Sequence, residues 1–137
     1  MTATRPVHIP AISLHQPWAS MIADGEKWIE TRSWGTAYRG PLLICSTKRP
    51  TGLGPTGRAM AVATLLACRP MLQRDEAAAG CERYPGAVAW VLHDVRSLSP
   101  RERFAVRGRQ RIWRVAVPGG HAVADYVRNW RRDRQCD

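Results

Sequence analysis

The stretch "RAMAVATLLAC" (Arg58–Cys68) decides the fold of this chain. It is almost entirely apolar, so its pattern is compatible with either a buried helix or a buried strand. The preceding stretch "RPTGLGPTG" (Arg49–Gly57) is too rich in glycine and proline to be helical. The apolar segment follows this loop directly, and its backbone needs hydrogen-bonding partners when it is buried. Both features favour a strand over a helix. The chain is therefore predicted to be mainly β.

Strand and helix candidates continue outward from this stretch. The other predicted strands are Ala11–His15, Lys27–Trp34, Arg39–Thr47, Ala87–Leu98 and Arg111–Val117. The predicted helices are Pro17–Asp24, a short one that ends at Gly80, and His121–Arg132. The resulting order, β-α-β-β-β-(α)-β-β-α, predicts a mixed α+β fold that is mainly β, with a small mixed or closed sheet of about five to six strands.

Composition points to a polyanionic partner. The 137 residues fit one domain, and a formal net charge of +10 favours nucleic acid or an anionic membrane surface. No stretch approaches the roughly 18 apolar residues of a membrane span, and the N-terminus has no apolar signal core. These features predict a cytoplasmic protein with a nucleic-acid partner and no membrane partner.

The cysteines and histidines predict no metal site and no cofactor. The four cysteines, Cys45, Cys68, Cys81 and Cys136, form no C-x-x-C pair. The four histidines lack metal-ligand spacing, although His15 has polar and aromatic neighbours in the sequence.

The segment "GEKWIETRSW" (Gly25–Trp34) is the first candidate site. In an extended chain, Trp28, Glu30, Arg32 and Trp34 share one face. Flat rings beside a donor and an acceptor suit the reading of a nucleobase, since bases stack on aromatic side chains. Cross-strand ion pairs with core tryptophans are the alternative that this pattern leaves open.

Lysine is scarce in this chain, because only Lys27 and Lys48 of the 21 basic residues are lysines. A lysine can lose its proton when buried and act as a nucleophile or base, which arginine cannot. Lys27 is therefore a candidate catalytic residue, and chance retention is the competing explanation.

Arginines at alternate positions form the second candidate site. Arg101, Arg103, Arg107, Arg109 and Arg111 would lie on one side of an extended segment and could bind phosphates. The C-terminal stretch adds Arg128, Arg131, Arg132 and Arg134. A solvated edge strand that resists aggregation is the alternative.

Four stretches in order resemble the ASCH domain, named after the activating signal cointegrator. They are "ISLHQPWASMIADGEKWIETRSW", "YRGPLLICSTK", "YPGAVAWVLHDVRSL" and "VRGRQRIWRV". The resemblance covers about residues 11–117, with residues 1–10 as a lead-in and 118–137 as a basic helix or tail. It implies a PUA-like fold, a small β-barrel with short flanking helices, related to domains that bind RNA.

The resemblance also implies a ligand cleft for RNA or a nucleotide-like molecule. Its charged motif corresponds to Lys27, Glu30 and Arg32, its "QPWA" segment contributes Gln16 and Trp18, and Ser46 and Lys48 follow a strand that ends near the cleft. Some small bacterial relatives hydrolyse N4-acetylcytidine with a lysine and a threonine three residues later. Here Glu30 stands at that threonine position, and alternation turns Thr31 to the other face. A hydrolase or ribonuclease that uses Lys27 and Glu30 is the alternative function.

Overall fold

A six-stranded sheet forms the centre of the protein in a computed structural model, which describes residues 4–135. The strands are β1 (Val7–Leu14), β2 (Ile29–Arg32), β3 (Gly40–Ser46), β4 (Ala59–Pro70), β5 (Val88–Ser97) and β6 (Trp113–Val117). The helices are α1 (Trp18–Ala23), α2 (Glu76–Ala79) and α3 (Ala122–Gln135), and a 3₁₀ turn, Gln73–Asp75, leads into α2. Strand β4 confirms that the deciding stretch is extended.

The strands follow the order β2-β5-β4-β3-β1-β6. β1 and β3 are parallel, and the other neighbouring pairs are antiparallel. Because β2 and β6 each pair on one side only among the described strands, the sheet is open. The expected closed barrel is therefore wrong, while the mainly β character and the strand number are confirmed. Within the described residues, β2 and β6 do not pair with each other, so no ladder joins the two edges of the sheet.

The sheet carries a core on each face, because successive residues of a strand point to opposite sides. Leu43 and Cys45 of β3 belong to the core that α3 covers with Val123 and Val127. Leu42 and Ile44 belong to the opposite core, which α1 covers with Ile22. Helix α3 therefore packs against one face of the sheet, although the sequence analysis set residues 118–137 apart from the domain as a basic helix or tail. Cys136 lies outside the described residues.

Two segment predictions need correction. Strand β1 begins at Val7, so residues 7–10 of the predicted lead-in pair with β6. Residues 98–112 form an irregular segment whose described pairing is one bridge between Arg58 and Ala105, so its arginines do not share one side of a strand. A turn interrupts this segment because the Glu102 carboxylate binds both Arg96 and the backbone N–H of Ser99.

The described helices are short. None within residues 4–135 is long and apolar enough to cross a membrane.

Candidate nucleic-acid interface

A cavity of about 430 Å³ lies where β1 and β3 end, between the edge strand β2 and the α2 segment. We call it the central cavity. Its walls contain Ser13, Leu14, His15, Trp18, Lys27, Glu30, Thr31, Arg32, Thr47, Ala79, Cys81 and Tyr84. The structure therefore brings together Lys27, Glu30, Arg32 and Trp18, as the sequence predicts.

Lys27 is a buried lysine whose side-chain nitrogen lies among oxygen atoms. Its side chain is 3% exposed, and its Nζ donates hydrogen bonds to the carbonyl oxygens of Ile29 at 2.7 Å and Ala79 at 2.5 Å. Nζ also lies 3.4 Å from Glu30 Oε1 and 5.7 Å from the ring centre of Trp18. An ammonium group has three donors, and these three oxygens match them. These contacts surround Nζ with three oxygen atoms, so the nitrogen is bound to the protein's own groups.

Glu30 links the two cations of the motif. Its Oε1 accepts a hydrogen bond from the backbone N–H of Thr31 at 3.0 Å, and its Oε2 accepts one from Arg32 Nε at 3.1 Å. Arg32 Nη2 lies 3.0 Å from the same carboxylate oxygen and donates to the Ser13 carbonyl at 2.8 Å. The cluster of Lys27, Glu30 and Arg32 therefore has a net charge of +1. Arg32 presents that charge to the central cavity, since its side chain is 22% exposed.

Thr31 lines the same central cavity as Glu30. Its hydroxyl lies 3.6 Å from Cys81 Sγ, on the side of the strand where Ile29 packs. Strand alternation thus turns Thr31 from Glu30 as predicted. Both residues still reach the cavity because β2 is an edge strand that the cavity wraps around.

A second recess adjoins the central cavity and carries most of the nearby positive charge. We call it the arginine groove; it consists of two overlapping hollows of about 550 and 450 Å³. Its walls contain Ser13, His15, Arg32, Trp34, Thr47, Lys48, Arg107, Gly108, Arg109, Gln110 and Arg111. Ser13, His15, Arg32 and Thr47 border both recesses, so the two lie side by side, and we refer to them together as the cleft.

Ser13 lies at the junction of the cleft. Its hydroxyl is buried and has no hydrogen-bond partner among the described residues. A Cβ at position 108 would lie 3.3 Å from that oxygen, so Gly108 allows the arginine segment to pass closely over Ser13. On the opposite wall, His15 Nδ1 and Thr47 Oγ1 are 2.7 Å apart.

Trp34 forms one end of the arginine groove. Its ring packs edge-to-face on the buried Trp90, with centroids 5.0 Å apart, and its carbonyl accepts a hydrogen bond from Trp90 Nε1. The Arg111 guanidinium lies 4.1 Å from the centre of the Trp34 ring. Arg111 has a φ of 60°, a left-handed conformation that costs a non-glycine residue about 1 kcal/mol or more.

Three predicted ligand residues lie outside both recesses. Gln16 is buried and joins the loop to α1, since its Nε2 donates to the Pro55 carbonyl and its Oε1 accepts from the Ser20 N–H. Ser46 is buried, and its Oγ accepts from the Arg58 N–H. Trp28 is 49% exposed and contributes to neither recess.

The predicted phosphate-binding arginines divide into two groups. Arg107, Arg109 and Arg111 line the arginine groove. Arg101, Arg103, Arg128 and Arg131 do not. Arg103 Nε donates to the Leu98 carbonyl, while Arg128 on α3 binds Asp125 and the carbonyl of Gly119, which precedes that helix.

Sequence reasoning missed the wall that follows α2. Ala79, Cys81 and Tyr84 line the central cavity because the Arg69–Asp75 ion pair, 2.6 Å at its shortest, fastens the turn before α2 to the end of β4. Asp75 also accepts the N–H of Leu72, and the hydrogen bonds from Arg69 lower the pKa of Asp75 to about 2. The sequence predicted the short helix that ends at Gly80 but not its position beside the cavity.

Comparison with known proteins identifies the family of this chain. The ASCH domain family model matches residues 12–102, about two thirds of the chain. The chain therefore belongs to the ASCH domain family, and the PUA-like superfamily is consistent with its fold. Within residues 4–135, no group of three histidine, cysteine or acidic side chains converges as a metal site.

Solved structures and curated relatives agree on the family. A crystal structure of ASCH from Zymomonas mobilis superposes with a TM-score of 0.60 at 19% identity, over 77% of this chain and 86% of the other. A mutant form of the same protein covers 83% of this chain with a TM-score of 0.55.

Among curated proteins, activating signal cointegrator 1 of Mus musculus is 54% identical over 41 residues, and that of Homo sapiens is 51% identical over 41 residues. These alignments cover 29% of this chain and only 7% of each relative's length.

Proposed function

We propose that this protein binds RNA, with a nucleotide base in the central cavity and the sugar-phosphate backbone along the arginine groove. The observation that carries this proposal is that the two recesses lie side by side and share Ser13, His15, Arg32 and Thr47. A base-sized hollow beside an arginine-lined groove suits a nucleotide, whose flat base and anionic phosphate are covalently joined.

The charges of the central cavity support an acceptor-rich ligand. The polar atoms of Lys27 and Glu30 contact each other, backbone groups and Arg32. Arg32 keeps donors for a ligand, because its hydrogen bonds to Glu30 and Ser13 use Nε and Nη2. The Ser13 hydroxyl, which has no partner among the described residues, is a further donor. A base carbonyl or a phosphate oxygen would satisfy the remaining guanidinium N–H groups.

The test is binding of single-stranded RNA to the wild type and to Arg32→Gln over a range of salt concentrations. Affinity that falls steeply with salt and drops further in Arg32→Gln supports the proposal. Arg101→Gln is the matched control, because Arg101 carries the same charge outside the cleft. Absence of RNA binding at low salt would end the proposal.

A hydrolase that acts on a modified nucleoside is the second candidate. The observation in its favour is that Thr31 lines the central cavity together with Lys27 and Glu30. The three oxygen atoms around Lys27 Nζ weigh against it, since they occupy the nitrogen that would have to reach the substrate.

Incubation with N4-acetylcytidine and with RNA, comparing the wild type with Thr31→Val and Lys27→Ala, tests this candidate. Turnover that Thr31→Val abolishes in a folded protein would establish the hydrolase. If both substrates stay intact after prolonged incubation with the wild type, the hydrolase candidate is excluded.

A further inference from the structure

We infer that Trp34 and Arg111 form a second nucleotide subsite, so that the ligand of the cleft is a single-stranded oligonucleotide rather than a free nucleotide. One base occupies the central cavity, and the neighbouring base stacks on Trp34. This inference rests on the proposed RNA-binding function. It requires that the bound ligand contain at least two nucleotides.

Trp34 is a fixed platform. The edge-to-face contact with Trp90 and the hydrogen bond from Trp90 Nε1 to the Trp34 carbonyl hold both the ring and the backbone. Trp90 itself is fully buried. A ring that is ordered before the ligand arrives loses little conformational freedom on binding, which favours affinity.

Arg111 marks the face of Trp34 on which a base would stack. Its guanidinium, a flat cation on an exposed side chain, covers that face at 4.1 Å. Arginine planes and nucleobases stack on the same aromatic surfaces. The base takes the place of the guanidinium, which then turns to the phosphate between the two nucleotides.

Arg32 fits that linking phosphate, because it borders both the central cavity and the arginine groove. Arg109, His15 and Thr47 line the same stretch of the groove and supply further donors. A base that is stacked on a protein ring has left the base stack of its own strand, so the subsite selects single strands over duplexes.

The experiment compares dissociation constants for nucleoside 5′-monophosphates and for single-stranded tetranucleotides, with RNA and DNA arms, in the wild type, Trp34→Leu and Trp28→Leu. The wild type is expected to bind tetranucleotides at least about tenfold more tightly than monophosphates. Trp34→Leu should lose about tenfold in tetranucleotide affinity and leave monophosphate affinity unchanged. Trp28→Leu removes the same type of side chain outside the cleft and should change neither.

Thermal unfolding and monophosphate binding show whether Trp34→Leu remains folded. If it does not, Arg111→Asn replaces it, because asparagine tolerates the left-handed backbone and leaves the Trp34–Trp90 contact in place. That variant should weaken tetranucleotide binding alone.

Equal affinity for monophosphates and tetranucleotides, or equal effects of Trp34→Leu and Trp28→Leu, would overturn the subsite while leaving RNA binding intact. If the wild type binds neither ligand at low salt, the proposed function itself fails.

Discussion

Lys27 Nζ donates a 2.5 Å hydrogen bond to the carbonyl oxygen of Ala79, the last residue of α2. The final carbonyls of a helix lack intrahelical partners, and a lysine is well suited to bind them. Lys27 thereby fastens α2 to β2 and forms the floor of the central cavity. The scarce lysine has an architectural role that the sequence did not reveal.

The first prediction concerns the burial of that charge. Lys27→Met should lower the free energy of unfolding by about 3 kcal/mol, because it leaves Glu30 and two carbonyl oxygens without their buried donor. Urea unfolding measures the change. Lys48→Met, at an exposed position, should stay within about 0.5 kcal/mol of the wild type. Equal effects of the two substitutions would show that Lys27 is not a structural cation.

The second prediction concerns base selection. Glu30→Gln should alter the preference among four single-stranded homotetramers more than the mean affinity, because Glu30 orients Arg32 through Nε and Nη2. Titration of each homotetramer measures both quantities. Glu26→Gln, an exposed change in the same segment, is the control and should alter neither. A uniform loss of affinity for all four ligands in Glu30→Gln would contradict this role.

The third prediction concerns the track of the phosphates. The double variant Arg107→Gln/Arg109→Gln should reduce the slope of log affinity against log salt by about 1.4 for a single strand, since each lost phosphate contact removes about 0.7. The double variant Arg131→Gln/Arg132→Gln on α3 has the same net charge and should keep the slope. A smaller slope in the α3 variant and an unchanged slope in the groove variant would show that the phosphates bind along α3 and not in the arginine groove.

The fourth prediction concerns acid stability. Asp75 has its pKa lowered to about 2 by the hydrogen bonds from Arg69, against about 3.9 in an unfolded chain. A group whose pKa is depressed on folding stabilises the protein above the unfolded value and loses that contribution as the pH falls to the folded value. Asp75 should therefore contribute on the order of 2 kcal/mol at neutral pH, and this contribution should disappear between about pH 5 and pH 2.

Unfolding of the wild type and Asp75→Asn, measured from pH 7 to pH 2, tests this contribution. The difference between the two proteins should shrink as the pH falls. A difference that stays constant with pH would mean that Asp75 acts through packing or a neutral hydrogen bond instead.

Local chemistry determined most of the elements. Gly80, with φ of 69°, ends α2 where the sequence placed that end, and the apolar run before Cys68 forms strand β4 as its composition predicted. The arginine segment was mispredicted because alternation assumes an extended chain, and the contacts of Glu102 with Ser99 and Arg96 turn it instead.

The sequence by itself determined the six strands and the grouping of Glu30 with Arg32, because a two-residue repeat fixes which side chains share a face. Only the tertiary structure decided that the sheet stays open, that Trp28 lies outside the cleft, and that Trp34 meets Arg111. Those outcomes depend on which strands pair and where irregular segments cross them. Such contacts join residues far apart in the chain, and no local pattern of side chains encodes them.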